Sequence, residues 1–262
     1  MSLQFCSFSS GSSGNCYLIK SQDTALLVDA GISAKRIFEG LACTGTPPEM
    51  VKALLITHEH CDHIKSVRTV SKKLPNAKVF ATGGTWSCGS GLSCETGQRI
   101  CFAPGDAFTV GDIGIKSFSV EHDAAEPVGY SFFKNDKQIS IVTDTGCITD
   151  AIHQSILNSD LIVMEANHDP ETLKVSGYPY YLKRRKTGHL SNDDAGKAIC
   201  RIYEENQKFR QIILAHLSKE NNFPELAYST IQNVLEEANY YIGLNMQVHI
   251  INRDRISAVY QI

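Results

Sequence analysis

Thr57-His58-Glu59-His60-Cys61-Asp62-His63 is the stretch that decides how this chain is read. Three histidines and an aspartate fall at positions 58, 60, 62 and 63. No regular strand or helix turns all four toward one point, because strand side chains alternate faces and helical ones fan around the axis. A tight strand-to-helix turn does. The apolar run at residues 51–56 reads as a short buried strand, and Ile64, Val67 and Val70 continue at helical spacing. Such a turn presents His58 and His60 on one side and Asp62 and His63 on the other, which suits two metal ions sharing a cleft. Imidazole and carboxylate ligands fit Zn, Mn or Fe. With nine histidines in 262 residues an isolated H-x-H is ordinary. The complete H-x-H-x-D-H run is not.

A two-ion site needs further ligands, and strand ends are where a rigid scaffold holds them. His122 follows an alternating apolar stretch at 113–120, Asp144 follows the run 138–142 and opens into a Gly turn, and His216 follows the apolar run 211–215. Each polar residue closes an apolar run. One chemically sensible partition puts His58, His60 and His122 on the first ion and Asp62, His63 and His216 on the second. Asp144 then bridges, since a carboxylate spans ions roughly 3.5–4 Å apart more readily than an imidazole.

The pattern resembles the metallo-β-lactamase superfamily over nearly the whole chain. His58 to His63 matches its H-x-H-x-D-H motif, Asp29 in Leu26-Leu-Val-Asp-Ala-Gly31 looks like its first-motif aspartate, and His122, Asp144 and His216 match its later motifs in order. Ser10-Gly-Ser-Ser-Gly-Asn-Cys16, Glu121-His-Asp-Ala-Ala-Glu-Pro-Val-Gly-Tyr130, Glu165-Ala-Asn-His-Asp169 and Gly188-His-Leu-Ser-Asn192 are similar to the WalJ/YycJ group, near the ribonuclease Z and phosphodiesterase branch. The resemblance implies an αββα sandwich of the α/β (α+β) class, a dinuclear centre and hydrolase chemistry. For this group it implies a nuclease, of the DNA exonuclease type.

Composition fits one domain over residues 1–262. No linker, charge block or repeat divides the chain, and a 42% hydrophobic fraction is ample for a continuous core. The formal charge of −3 gives no global field for nucleic acid, so a nuclease of this composition needs a local basic surface. Met1 to Phe8 lacks the basic and apolar regions of a signal peptide, and no run approaches the ~20 apolar residues of a membrane span. Nine cysteines, an odd number without Cys-x-x-Cys spacing, point to reduced thiols and a cytoplasmic setting, with Cys61 packed beneath the turn rather than ligating.

The coarse pattern is strands at 3–8, 16–20, 24–29, 51–56 and 78–81 in the first half, with helices at 33–42, capped by Ser33, and from the histidine turn to residue 74. A Gly-rich stretch follows at 83–97. The second half has strands at 107–118, 128–134, 138–143, 161–165, 212–215, 247–251 and 257–260. Its helices lie at 149–158, 193–205 and 224–239. Mixed strands with interspersed helices argue for two mixed sheets flanked by helices.

Two segments point to substrate. Lys183, Arg184, Arg185 and Lys186 form the single four-residue basic run, with Tyr178, Tyr180 and Tyr181 upstream. Cations beside aromatics suit a groove that tracks a nucleic-acid backbone. His189 lies ahead of a helix capped by Ser191 or Asn192, where backbone N–H groups favour an anion; by resemblance, its counterpart contacts the scissile phosphate. His168 is a candidate catalytic or substrate contact, and Ser12 and Asn15 offer donors at the rim of a Gly-flanked loop.

The expected chemistry is phosphodiester hydrolysis by a hydroxide generated at two divalent ions. Asp62 and Asp144 orient the nucleophile, His189 donates to phosphate or leaving oxygen, and Asp29 supports the turn that carries the metal histidines. DNA is favoured over RNA as the partner, with no membrane involvement. A carboxyl-ester or thioester hydrolase of lactonase or glyoxalase II type could use the same ions. A non-catalytic, metal-binding regulatory partner is the third reading.

Overall fold

The run ahead of the histidine turn is a buried strand, as its apolar sequence predicts. The computed structural model describes residues 2–177 and 188–262. Within them the chain builds two mixed seven-stranded sheets flanked by helices. It clusters into two units: the chain up to Ser119 with Ala124–Lys137 and Asn252–Ile262, and Val120–Asp123 with Gln138–Ile251.

In the first unit β1 (Gln4–Ser9), β2 (Cys16–Lys20) and β3 (Ala25–Val28) pair antiparallel. After α1 (Ala34–Cys43), β4 (Val51–Leu55) runs parallel to β3. Past the histidine turn come two short helices, α2 (Cys61–Ile64) and α3 (Val67–Ser71). The parallel side continues through β5 (Lys78–Thr82), α4 (Gly83–Cys88) and β6 (Arg99–Phe102). β7 (Ala107–Val110), β8 (Ile113–Ser119) and β9 (Val128–Lys134) form an antiparallel meander.

The second unit alternates strand and helix. β10 (Lys137–Val142), α5 (Asp150–Ile156), β11 (Leu161–Glu165), α6 (Pro170–Val175), α7 (Asn192–Glu205), β12 (Arg210–Ala215), α8 (Pro224–Glu237) and β13 (Met246–Ile250) follow in turn. β10 to β13 are all parallel. β11 is buried at every position, as expected of a parallel strand covered on both faces. The last strand, β14 (Tyr260–Gln261), returns to pair with β1. The strand orders are β14-β1-β2-β3-β4-β5-β6 and β13-β12-β11-β10-β9-β8-β7.

Packing explains several local choices. Ser33 caps α1 by accepting from the Arg36 N–H. Gly40, in the middle of that helix, costs roughly 1 kcal/mol against alanine on propensity alone. A Cβ there would sit 2.6 Å from the Phe8 ring, so the glycine lets α1 close onto β1. Phe8, Leu27, Ile37, Leu54, Val67 and Val79 share one buried cluster. Cutting one of its leucines to alanine is worth about 2–5 kcal/mol. Arg210 is 1% exposed and donates to the carbonyls of Leu157, Ser159 and Asn206 at 3.2, 3.4 and 3.1 Å. It ties down the C-terminal ends of α5 and α7 with one side chain, satisfying carbonyls that a helix end leaves open.

The structure departs from the sequence expectations in several places. Cys61 is exposed rather than packed beneath the turn, and the strand expected at 257–260 is reduced to the two residues of β14. The helix expected up to residue 74 is two, because the Ser66 N–H goes to the Ala30 carbonyl at 2.9 Å rather than to its own helix. The strand expected at 107–118 is a hairpin, turned at Gly111 with φ +62 and packed against Thr24. The Gly-rich stretch opens with α4, capped by Thr82, and leads to β6, a strand the sequence pattern does not mark. α6 was likewise not foreseen. Among the described residues no helix is long and apolar enough to cross a membrane.

Candidate metal centre

In the first unit the histidine turn is built around the Asp29 carboxylate. Asp29 follows β3 in a left-handed conformation, φ +61, and is fully buried. Its Oδ1 accepts the Thr57 N–H and its Oδ2 the Thr57 hydroxyl, each at 2.9 Å. Oδ2 also takes Nδ1–H of His63 at 2.8 Å. The Thr57 hydroxyl, having given its proton to Asp29, accepts from Nδ1 of His58 at 3.0 Å. Both imidazoles therefore carry the proton on Nδ1 and keep the lone pair on Nε2, the tautomer a metal requires. Burial pushes the Asp29 carboxyl up; the His63 and Thr57 contacts pull it part of the way back.

Neighbouring loops lock the turn. The Asn15 N–H donates to the Asp62 carbonyl at 2.8 Å, and Nδ2 of Asn15 lies 3.0 Å from Nε2 of His63. Oδ1 of Asn15 is held by the Gly11 N–H at 2.8 Å, which fixes the amide's orientation. A Cβ on Gly31 would fall 1.6 Å from the Asp62 carbonyl oxygen, so a side chain there would displace the turn. His58 Nε2 lies 3.1 Å from His60 Nδ1. That is close to the ~3.3 Å edge of a tetrahedron whose ligands stand ~2.0–2.1 Å from the ion.

In the second unit Glu165, the last residue of β11, plays the part Asp29 plays in the first. It is fully buried. Oε1 takes Nδ1–H of His189 at 2.8 Å and of His216 at 2.7 Å, while Oε2 takes the N–H groups of Thr145 and Leu190 at 3.0 and 3.2 Å. Burial alone would raise the Glu165 carboxyl, but the charges and hydrogen bonds of His189 and His216 hold it well below the usual range. Burial likewise disfavours the His189 imidazolium, yet Glu165, with Asp144 and Asp123, lifts its pKa to about 9.

Asp144 and His216 both adopt left-handed backbones, φ +56 in each, beyond the ends of β10 and β12. Strain of this kind concentrates where a scaffold aims functional groups. Around Asp144 Oδ1 stand His216 Nε2 at 3.5 Å, His189 Nδ1 at 3.8 Å and His122 Nε2 at 4.0 Å. His122 gives its other nitrogen to the Gly188 carbonyl at 3.4 Å. Asp144, Glu165, His189 and His216 each offer a ligand-type atom within 4.8 Å of the others. The donor chemistry, imidazole nitrogen with carboxylate oxygen, fits a divalent transition metal.

His58, His60, Asp62 and His63 lie together in the first unit with Asp29 and Asn15 behind them; His122, Asp144, His189 and His216 lie together in the second. Ser12 is exposed on the loop that Asn15 ends. His168 is buried beside this group, its carbonyl accepting the Asn192 N–H at 2.9 Å and its backbone bridging Ser191, but it is not among the gathered ligand atoms. Lys183, Arg184, Arg185 and Lys186, and the tyrosines before them, lie outside the described residues. Sequence reasoning missed the roles of Thr57 and Glu165. The signal for Glu165 was present: a carboxylate closing the otherwise apolar strand Leu-Ile-Val-Met.

Sheets, turn and clustered ligands define a metallohydrolase of known type: the chain belongs to the metallo-β-lactamase superfamily, in the WalJ/YycJ group. Residues 24–216 match the family model described as the beta-lactamase superfamily domain. The chain is 37% identical over 254 residues to the protein named exodeoxyribonuclease YycJ of Bacillus anthracis, covering 95% of each. It is 39% identical over 260 residues to exodeoxyribonuclease WalJ of Streptococcus pneumoniae serotype 2 (strain D39), covering 97% of this chain and 96% of that one. The metallo-β-lactamase fold protein YhfI of Bacillus subtilis superposes with a TM-score of 0.75 at 16% identity over the full length of both, a likeness of fold alone.

Proposed function

We propose that this chain is a metal-dependent exodeoxyribonuclease, a single catalytic domain that hydrolyses phosphodiester bonds of DNA with two divalent ions, Zn, Mn or Fe. The ligands in this reading are His58, His60, Asp62, His63, His122, Asp144 and His216. The observation that carries it is the pair of buried carboxylates, Asp29 and Glu165, that hold His63 and His216 by Nδ1 and so leave Nε2 of each as the nitrogen with a lone pair to give. Two relatives named exodeoxyribonuclease, matched over nearly their whole length, support DNA as the substrate class.

Bound there, the ions supply positive charge that acidifies an attacking water and offsets charge on the phosphate. The chain's own residues do the rest. Asp62 and Asp144 orient the attacking water. His189, kept protonated by Glu165, presents its Nε2–H to a phosphate or leaving-group oxygen. His168 and Asn15 steady the surrounding loops, with Ser12 and the Lys183–Arg184–Arg185–Lys186 run as contacts to the strand away from the chemistry. A cytoplasmic setting is supported by nine free cysteines.

The test is an assay of protein loaded with Mn or Zn. Its substrates are end-labelled single- and double-stranded DNA, RNA, a bis(aryl) phosphodiester, a lactone and a glutathione thioester. Stepwise shortening of DNA is expected. Turnover of the lactone or thioester with no attack on any phosphodiester would overturn the reading in favour of the ester hydrolases.

A further inference from the structure

Resting on that reading, we propose that a cleft of about 250 Å³ beside the second unit's ligands seats the base of the terminal deoxynucleotide, with Lys197 taking its phosphate. One wall is Gly146, Cys147 and Ile148, starting two residues past Asp144. The other is a face of α7, with Asp194, Lys197, Ala198 and Arg201. Leu190, next to His189, closes the cleft. Both walls are anchored to one group: Glu165 Oε2 accepts the Thr145 N–H, one residue before Gly146, and the Leu190 N–H. The carboxylate that aims His189 and His216 through Oε1 therefore also sets the spacing of the cleft.

The lining chemistry selects the occupant. Ile148, Leu190 and Ala198 offer an apolar face, and the volume lies just below the range of ordinary small-molecule sites, enough for a base rather than a dinucleotide. Apolar contact with the face of a base makes no base-specific hydrogen bond and so tolerates any base, which suits an enzyme that degrades without regard to sequence. Arg201 lies 2.8 Å from Asp150 and 3.7 Å from Glu205, so its charge is shared between two carboxylates whereas Lys197 meets one. Lys197 is 69% exposed and stands 3.5 Å from Asp194, an exposed pairing of small net strength that a phosphate can replace. A larger cleft of about 600 Å³ shares Lys197 and Asp194 with this one but adds Asp169, Glu171, Asp193 and Glu237, an acidic lining that repels an anionic strand.

The experiment measures binding by equilibrium dialysis with metal-loaded full-length protein, using deoxyadenosine monophosphate and inorganic phosphate as separate probes. Ala198→Leu fills the cleft and Ile148→Ala removes its floor; melting temperature reports folding. Each is expected to raise Kd for the nucleotide about tenfold while Kd for phosphate stays within twofold. Lys197→Ala is expected to weaken the nucleotide as well. The ratio of DNA to bis(aryl) phosphate turnover should fall with nucleotide affinity in all three. Unaltered nucleotide binding in folded Ala198→Leu and Ile148→Ala would overturn the cleft's assignment, and so would equal loss of both probes. Wild-type protein that cleaves neither DNA nor the small diester would instead remove the exonuclease reading, before any variant is compared.

Discussion

Glu165 holds His216 at 2.7 Å through Nδ1 with both side chains buried. Asp29 holds His63 in the same way in the other unit, at 2.8 Å. Each histidine has its tautomer chosen by a carboxylate that solvent does not reach. Removing such a partner typically costs 10–100-fold in metal affinity. Glu165→Gln keeps the volume but loses the charge, and its amide cannot accept both imidazole N–H groups through one oxygen while accepting two backbone N–H groups through the other. Chelator competition should show metal held at least tenfold more weakly than in wild type. Unchanged affinity would mean that Glu165 is only a packing residue.

Gly31→Ala tests how the first unit holds Asp62. The new Cβ would lie 1.6 Å from the Asp62 carbonyl oxygen and 2.8 Å from the Asn15 nitrogen, both backbone atoms that cannot swing aside. Forced overpacking of this kind costs about 1–3 kcal/mol. The expected outcome is a protein that folds with a lowered melting temperature and releases metal faster, because the displaced segment carries Asp62 and adjoins His63. Wild-type metal retention in the variant would show that the turn is not held there.

Much of this was legible because candidate ligands obey a local rule: a polar residue closing an apolar strand. His122, Asp144 and His216 each close such a run, and the structure gathers them with His189. Glu165 obeys the same rule, but a carboxylate at a strand end is ordinarily solvated, whereas the histidine three residues later, His168, carries the more usual site chemistry. The left-handed backbones of Asp29, Asp144 and His216 have no sequence signal, because non-glycine residues reach that region only when tertiary contacts demand it. The break between α2 and α3 was also invisible. It depends on Ala30, over thirty residues away, capturing the Ser66 N–H.

His189→Ala should keep both the fold and bound metal but lose roughly 10²–10³ in kcat, the size of one oriented transition-state donor. The histidine is anchored to Glu165 by Nδ1 at 2.8 Å, which leaves Nε2 for substrate. Metal content, melting temperature and kcat measured on one preparation check this. Full kcat with a lowered melting temperature would make His189 structural.

Arg210→Leu should destabilise without touching the chemistry. The Ser159 and Asn206 carbonyls lose this donor, while that of Leu157 keeps Asn206 Nδ2 at 3.3 Å; each buried unsatisfied acceptor costs about 1–3 kcal/mol, partly regained by the better burial of leucine. A net loss of about 2–4 kcal/mol in urea unfolding is expected, with specific activity preserved in the folded fraction. A loss below about 0.5 kcal/mol would show that water reaches those carbonyls.

Asp112 supplies a pH signature. It sits in the turn between β7 and β8 and binds Lys134 and the Ser21 hydroxyl. Burial disfavours its charge, but Lys134, Thr24 and Ser21 outweigh that and hold its carboxyl well below the usual range. An unfolded aspartate titrates near ~3.9. The folded protein therefore stays charged where the unfolded chain already binds a proton. The stabilisation is complete above about pH 5 and drains away as pH falls through ~4 toward the folded value. Asp112→Asn, which lacks that titration, should melt below wild type at pH 7, and the gap should narrow steadily beneath pH 4. Comparing the two proteins cancels the acid sensitivity they share. A gap that stays constant from pH 7 to pH 3 would mean that the Asp112 charge contributes nothing to stability.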